Sequence, residues 1–415
     1  MRFTHARLWR RVRALFPPQQ PDPMRATLCK TTLLLAATLS VMASAVLAPV
    51  LPSIETAFAD TPHAPLLTRM VLSMPALFIV LGAPLAGRLA DRWGRRPVLL
   101  WGFVLYAIGG ASGGLLDSLP HILIGRAILG LGVGAIMTAS ITLVADYFQG
   151  EERSRLLGLQ QAFSHGGAIF LQLASGALAV ISWRLPFFTY LISVLLLALA
   201  FYVVDEPTRH APADAGGPAP HGPRALTWVI YATGMVVMGC FYVTPVQLAF
   251  YLRELAGANA LAAGAAISWM SFCATCGALA YARIKPFLGH ARVLVLMCAL
   301  MAVGYFIVGA APSYAVALGG LAVLGSGFGL LLPNLAAWLT DIAPLARRGR
   351  AVGGLTLAVF LGQFISPLVT QPLIERTSYA AVFVDVGGAM LVLGVVFLLA
   401  GPWLRGKQAE HAAAT

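Results

Sequence analysis

Charge is scarce in this sequence. Asp, Glu, Lys and Arg make up 11% of its 415 residues, and 59% are hydrophobic; a soluble domain carries about 25% charged residues. So apolar a chain cannot keep its surface in water, which excludes a soluble globular fold. Acidic residues are the rarest charges, 16 against 28 basic ones, for a net charge of +12. No polar domain exists to carry that excess as a basic, aromatic surface, which excludes nucleic acid as a partner. Cysteine is also sparse. Cys29, Cys240, Cys273, Cys276 and Cys298 all fall within or beside apolar stretches and imply no disulfide framework. Cys273 and Cys276 form a C-x-x-C inside an expected helix, but no further Cys or His stands near to complete a four-ligand zinc site. There is no phosphate-cradling Walker loop and no catalytic cluster, so an enzyme is not expected and no cofactor or metal is called for.

What the sequence does have is apolar runs of membrane-spanning length. About 20 apolar residues cross the hydrocarbon core as a helix. Twelve such spans are expected, at 31–52, 66–87, 97–117, 121–145, 156–181 and 184–204, then at 226–252, 261–283, 292–311, 314–340, 351–372 and 379–402. Between the sixth and seventh lies 205–225, which opens on Asp205 and Glu206 and continues rich in Pro and Gly. That composition reads as a flexible linker. The chain therefore divides into a basic segment (1–30), a six-helix half (31–204), the linker, a second six-helix half (226–403) and a short tail (404–415). In the first segment Phe3, Leu8, Val12 and Leu15 line one face of a basic amphipathic helix. The alternative is that translation starts at Met24.

The basic residues sit at alternate junctions. Of the 28, 23 fall on the side that holds both termini. Only Arg69, Arg184, Arg253 and Arg376 fall on the other, and Arg126 lies within a span. Such an asymmetry orients a chain with its basic loops in the cytoplasm, so both termini are expected there.

An offset of 195 residues recurs. Gly130, Gly132 and Gly134 map to Gly325, Gly327 and Gly329, Asp146 to Asp341, Arg155 and Gly158 to Arg350 and Gly353, and Arg88 and Gly94 to Arg283 and Gly289. Two parallel six-helix repeats imply a substrate site between them near the membrane midplane.

The strongest local motif joins the second and third spans: Gly87-Arg88-Leu89-Ala90-Asp91-Arg92-Trp93-Gly94-Arg95-Arg96-Pro97. Its glycines permit close approach and a tight turn. Asp91 can face a helix N-terminus, an interaction of about 0.3–1 kcal/mol. This loop resembles the signature of the major facilitator superfamily. The resemblance implies an all-α membrane fold of twelve helices in two pseudo-symmetric bundles. It also implies that Gly87, Arg88, Asp91, Arg92, Gly94, Arg95 and Arg96 form a cytoplasmic gate, locked when the transporter faces outward. In the second half Pro286 stands where the Asp would be.

The fourth span, with Arg126 followed by Gly130 and Gly132, resembles the superfamily's helix 4 pattern, which implies an influence of Arg126 on proton transfer. The alternative is a side chain reaching for the interface. The fifth span (Gly158, Gly166, Gly167, Gly176) resembles the antiporter motif of the drug:proton exporters but lacks its Gly-Pro pair, and Trp183-Arg184-Leu185-Pro186-Phe187 resembles a junction common in that branch. His165 and Asp385 are the other candidates for proton coupling, although Asp385 also reads as structural, paired with Arg376. For a cavity between the halves, the candidates are Gln161, Gln172, Tyr242, Gln247, Tyr251, Trp269, Asn334 and Gln363, a set suited to a neutral or weakly charged organic molecule. Pro245, beside Tyr242 and Gln247, is expected to break its helix and free carbonyls there.

The resulting expectation is a monomeric, multi-pass transporter of the cytoplasmic (inner) membrane. It moves a small organic molecule through the lipid bilayer with protons, the proton gradient being its energy source. Efflux of a drug or of a secreted metabolite such as a siderophore leads. Uptake of a nutrient, or a transporter-like sensor, is the alternative.

Overall fold

A computed structural model describes residues 23–207, 224–344 and 347–414, with the side chains of Pro23, Ala26, Ser154, Gln161, His165, Arg224 and residues 403–414 outside the described set. Lipid offers no partner for a free backbone N–H or C=O, so each apolar run folds into a helix that satisfies its own backbone. The described residues hold eleven helices long and apolar enough to cross a membrane. The one at Ala260–Gly309 is 50 residues long and bends at Gly289, whose φ of 68° is outside helical range. It is two spans in one, which gives twelve. They are named here α1 (Thr27–Ala57), α2 (Ala64–Trp93), α3 (Arg95–Gly114), α4 (Leu119–Tyr147), α5 (Gly150–Ile181), α6 (Leu185–Val203), α7 (Arg224–Ala256), α8 (260–288), α9 (290–309), α10 (Tyr314–Ile342), α11 (Arg348–Arg376) and α12 (Tyr379–Ala414).

Three details differ from the sequence reading. The loop expected between 283 and 292 shrinks to the single break at Gly289, because a glycine at positive φ turns the chain without a linker. Helix α12 continues through Pro402 to Ala414, where Ala, Gln, Glu and Lys favour the helix over a free tail. Pro245 does not break α7, which runs unbroken from Arg224 to Ala256. The Tyr305 hydroxyl of α9 donates to the Cys240 carbonyl at 2.7 Å, one turn before the proline, and lies 3.0 Å from the Thr244 hydroxyl. Both contacts lie inside the second half.

The 195-residue repeat holds at the level of single contacts. A Cβ on Gly109 would lie 2.4 Å from the Leu129 nitrogen, and one on Gly304 would lie 2.5 Å from the Leu324 nitrogen. Likewise Gly130 abuts the Pro75 carbonyl, and Gly325 the Met270 carbonyl. Each partner is displaced by the same 195 residues as its glycine. The glycines of the fourth span therefore seat α4 against α2 and α3, and their copies seat α10 against α8 and α9.

Candidate functional site

The two halves touch at one end and part at the other. On the face opposite the basic loops, α5 meets α8 so closely that a Cβ on Gly176 would lie 2.7 Å from the Ala260 carbonyl. Ser268 donates to the Ile169 carbonyl at 2.9 Å, and Ser271 donates to Gln172 at 3.0 Å. The Tyr242 hydroxyl of α7 donates to the Leu72 carbonyl of α2 at 3.2 Å. A cavity of about 660 Å³ remains at this mouth, lined by Pro49, Thr56, Ala249, Arg253 and Asn259 among others. Arg253 reaches Thr56 across it at 3.4 Å.

The centre of this closed face is Arg69, a residue that sequence reasoning placed only as one of four basic residues on that side. Its side chain is fully buried. It pairs with Glu55 of the first half, donates to the Pro65 carbonyl at 2.9 Å, to Gln247 of α7 at 3.2 Å and to the Tyr379 hydroxyl of α12 at 2.9 Å, and stacks over the Phe250 ring at 3.8 Å. Gln247 passes the chain on to Gln371, and Gln371 to Glu375 at 3.1 Å. One guanidinium thus ties both halves together. A buried charge persists only when paired and hydrogen-bonded on most sides, and here the partners come from α1, α2, α7 and α12.

The basic face is different. Arg88, Asp91 and Arg350 are exposed there, and nothing lies within 4 Å of a Cβ built on Gly158 or Gly353. Asp91 has no hydrogen bond or ion pair among the described residues. The loop that carries it is nevertheless well anchored. Gly94 turns the chain at φ 109°. Glu206, from the end of α6, accepts the backbone N–H groups of Arg95 and Arg96 at 2.8 Å each. This carboxylate caps the otherwise unpaired N-terminus of α3. A Cβ on Gly94 would come within 2.6 Å of it. Arg95 pairs with Asp146 of α4 at 2.7 Å, and Arg96 donates to the Phe201 carbonyl at 2.7 Å. Glu206 and its neighbour Asp205, which pairs with Arg25 at 2.9 Å, are the first two residues of the expected linker. The motif therefore divides in two: Gly94, Arg95 and Arg96 brace the first half, while Arg88 and Asp91 stand at the open mouth.

Within the membrane, Arg126 is fully buried and does not reach for an interface. It donates to the Val71 carbonyl of α2 at 2.8 Å and to the Ala43 carbonyl of α1, and lies over the Tyr190 ring. Its remaining nitrogen, Nη1, has no hydrogen-bond partner among the described residues. At the opposite face Arg184 holds Asp117 at 2.5 Å and lies over Trp183, so the Trp-Arg-x-x-Phe junction ties α6 to the end of α3.

The other candidates scatter. Gln172, Tyr242 and Gln247 bridge the halves, as described. Tyr251 donates to the Val308 carbonyl within the second half, and Trp269 to the Leu318 carbonyl. Asn334 is buried against His290 in the second half. Gln363 is half-buried, with no hydrogen bond among the described residues. Asp385 is exposed, and no ion pair with Arg376 forms. Gln161 and His165 lie outside the described side chains. Among the described residues, no group of three His, Cys, Asp or Glu side chains gathers as a metal site would require.

Two six-helix repeats, joined at one membrane face and parted at the other, have the architecture of a membrane carrier. The chain belongs to the Major Facilitator Superfamily, whose family model matches residues 33–288 and 229–414. It is a membrane transporter and not an enzyme. It is 22% identical over 344 residues to the quinolone resistance protein NorA of Staphylococcus aureus, an alignment that covers 77% of this chain and 84% of NorA. It is 28% identical over 353 residues to the class C tetracycline resistance protein of Escherichia coli, covering 81% and 87%. Among solved structures, the D-xylose-proton symporter superposes with a TM-score of 0.71 at 19% identity, over 90% of this chain and 97% of that one.

Proposed function

We propose that this protein exports a small organic molecule from the cytoplasm in exchange for protons. The observation that carries the reading is likeness along most of both chains to two proteins whose names record resistance to quinolones and to tetracycline. The 23-to-4 split of basic residues supports a cytoplasmic basic face, and the halves part on that face, where an exporter takes up its cargo. The cargo is a drug or a secreted metabolite such as a siderophore. Protons supply the energy, with Arg126, His165 and Asp385 as the candidates to couple them. One observation favours uptake instead: the fifth span lacks the Gly-Pro pair of the exporters' motif.

The test is accumulation of a fluorescent quinolone and of tetracycline in cells with and without the gene, together with metabolite profiling of the medium from a deletion strain. Export lowers cell content when the gene is present, or removes a compound from the deletion medium. Higher cell content with the gene present reverses the direction. No change in any compound, together with a signalling defect, makes the protein a sensor. For the gate, Asp91→Asn is expected to lower transport at least tenfold with normal membrane insertion, because Asp91 has no partner in this state and acts only when the basic face closes. Full transport by that variant removes the gate role.

A further inference from the structure

The 195-residue offset connects one more pair. Arg95 maps to His290, just as Gly94 maps to Gly289 and Asp146 to Asp341. The contact is copied along with the residues: Arg95 binds Asp146 at 2.7 Å, and His290 Nε2 lies 2.9 Å from Asp341. The same brace, from the start of one helix to the end of the next, is built twice. In the first half its cation is an arginine, which stays charged at any working pH. In the second it is a histidine, whose charge changes within the physiological range.

The surroundings of His290 specify its protonation. The ring is buried. Nδ1 lies 2.9 Å from Asn334 Oδ1. The orientation of that amide is fixed, because Asn334 Nδ2 donates to the His290 carbonyl at 3.1 Å; turning it over would set two carbonyl oxygens against each other. Nδ1 therefore faces an acceptor. Nε2 also faces an acceptor, the Asp341 carboxylate. A neutral imidazole has one N–H and one lone pair, so it satisfies one of these contacts and opposes a lone pair to an acceptor in the other. Only the imidazolium donates to both. The ring also stacks on buried Trp338, with centroids 5.5 Å apart and planes 4° apart, a position that favours a cation. The other charged or titratable groups around it are few. From α8 come Tyr281, whose hydroxyl is 3.5 Å from Asn334, and Lys285, 3.4 Å from Asp341. On α9 itself Arg292 is exposed. Of the α12 side chains that the structure describes, 379–402, the charged one is Asp385, and it lies toward the other end.

We propose that His290, Asn334 and Asp341 form a proton-binding site on the basic face of the second half, in which the bound proton clasps α9 to α10 and its loss releases them. The site lies apart from the space between the halves. It makes the firmness of one half depend on pH at that face while the other half, braced by Arg95, does not respond. Only the doubly protonated ring donates to both acceptors, so the clasp is complete where the ring carries both protons and is broken where it carries one. The inference does not depend on cargo or transport direction.

The test uses the purified full-length protein in detergent and needs no cargo. Melting temperatures are measured from about pH 5.5 to about pH 8.5, across the range of histidine titration, for the parent, His290→Arg and Asp341→Asn. The His290→Arg variant copies the first half, so the parent is expected to match it at acid pH and to fall a few degrees below it as pH rises. Asp341→Asn is expected to lose most of this pH-dependent gap. Ring-nitrogen spectra of histidine-labelled protein provide a second readout, with His290 assigned by its absence in His290→Arg or, if that variant fails to fold, in His290→Gln. Both ring nitrogens protonated at about pH 6.5 supports the proposal. A singly protonated His290 ring at that pH, or melting curves that stay parallel across the range, overturns it.

Discussion

Arg69→Ala is expected to open the sealed face and abolish net transport. The argument rests on what the guanidinium holds. It is buried, paired with Glu55, hydrogen-bonded to Gln247 and Tyr379, and stacked on Phe250. Removing one partner of a buried pair costs about 3–5 kcal/mol. Glu55 is 28% exposed, so water recovers part of that loss and the lower end applies. A carrier's two states lie within a few kcal/mol of each other. A loss of about 3 kcal/mol from one of them shifts their ratio by about a hundredfold. The measurement is the distance between spin labels at Thr61 and Gly257, at the ends of the two halves on this face, in a background free of native cysteines. The distribution is expected to move to longer distances in Arg69→Ala. Arg69→Lys is expected to fall between parent and Ala, because a lysine keeps the charge but cannot donate to Glu55, Gln247 and Tyr379 in one plane. An unchanged distribution in Arg69→Ala would show that packing of α5 against α8 seals the face without the arginine.

Why the sequence did not reveal this latch is instructive. Twelve helices were legible because lipid leaves an apolar run no other fold, and the repeat was legible because glycines at a fixed offset stand out. Arg69 looks like any cation near the start of a span, four residues after Pro65 in the first turn of α2. Its partners Gln247 and Tyr379 lie 178 and 310 residues away, and no local pattern links them. Gln247 was singled out for the cavity, but its amide is engaged by Arg69. Asn334 was singled out for the same reason, and its amide orients His290. A polar side chain inside a membrane helix signals only that a partner exists, and the fold decides which. The His290 brace was the exception that the sequence did contain. The same 195-residue offset that relates Arg88 to Arg283 and Gly94 to Gly289 relates Arg95 to His290. The gate loop was legible as a motif, but its division into bracing and exposed residues depends on Glu206, which composition assigned to the linker.

Gly109→Ala and Gly304→Ala are expected to be strongly damaging, and to a similar degree. Helices in lipid gain little from burying apolar surface against each other and associate largely through close packing, which small residues allow. At Gly109 the new methyl would sit 2.4 Å from the Leu129 nitrogen and 2.6 Å from the Gly125 carbonyl; at Gly304 it would sit 2.5 Å from the Leu324 nitrogen. These are backbone atoms, so no side chain can rotate away. Helix α3 must move off α4, or α9 off α10, by roughly 1 Å, and overpacking of this kind costs about 1–3 kcal/mol or more. Gly319→Ala and Gly388→Ala serve as controls, since nothing lies within 4 Å of either position, and both are expected to behave as the parent. The measurement is the yield of monodisperse protein and its melting temperature in detergent. Parent-like melting of Gly109→Ala would mean that α3 and α4 slide freely on each other. A large loss at Gly109 with none at Gly304 would mean that the halves share a fold but not a packing tolerance. Matched losses would show that the 195-residue repeat preserves the contact itself, and that these glycines set the distance between helix axes.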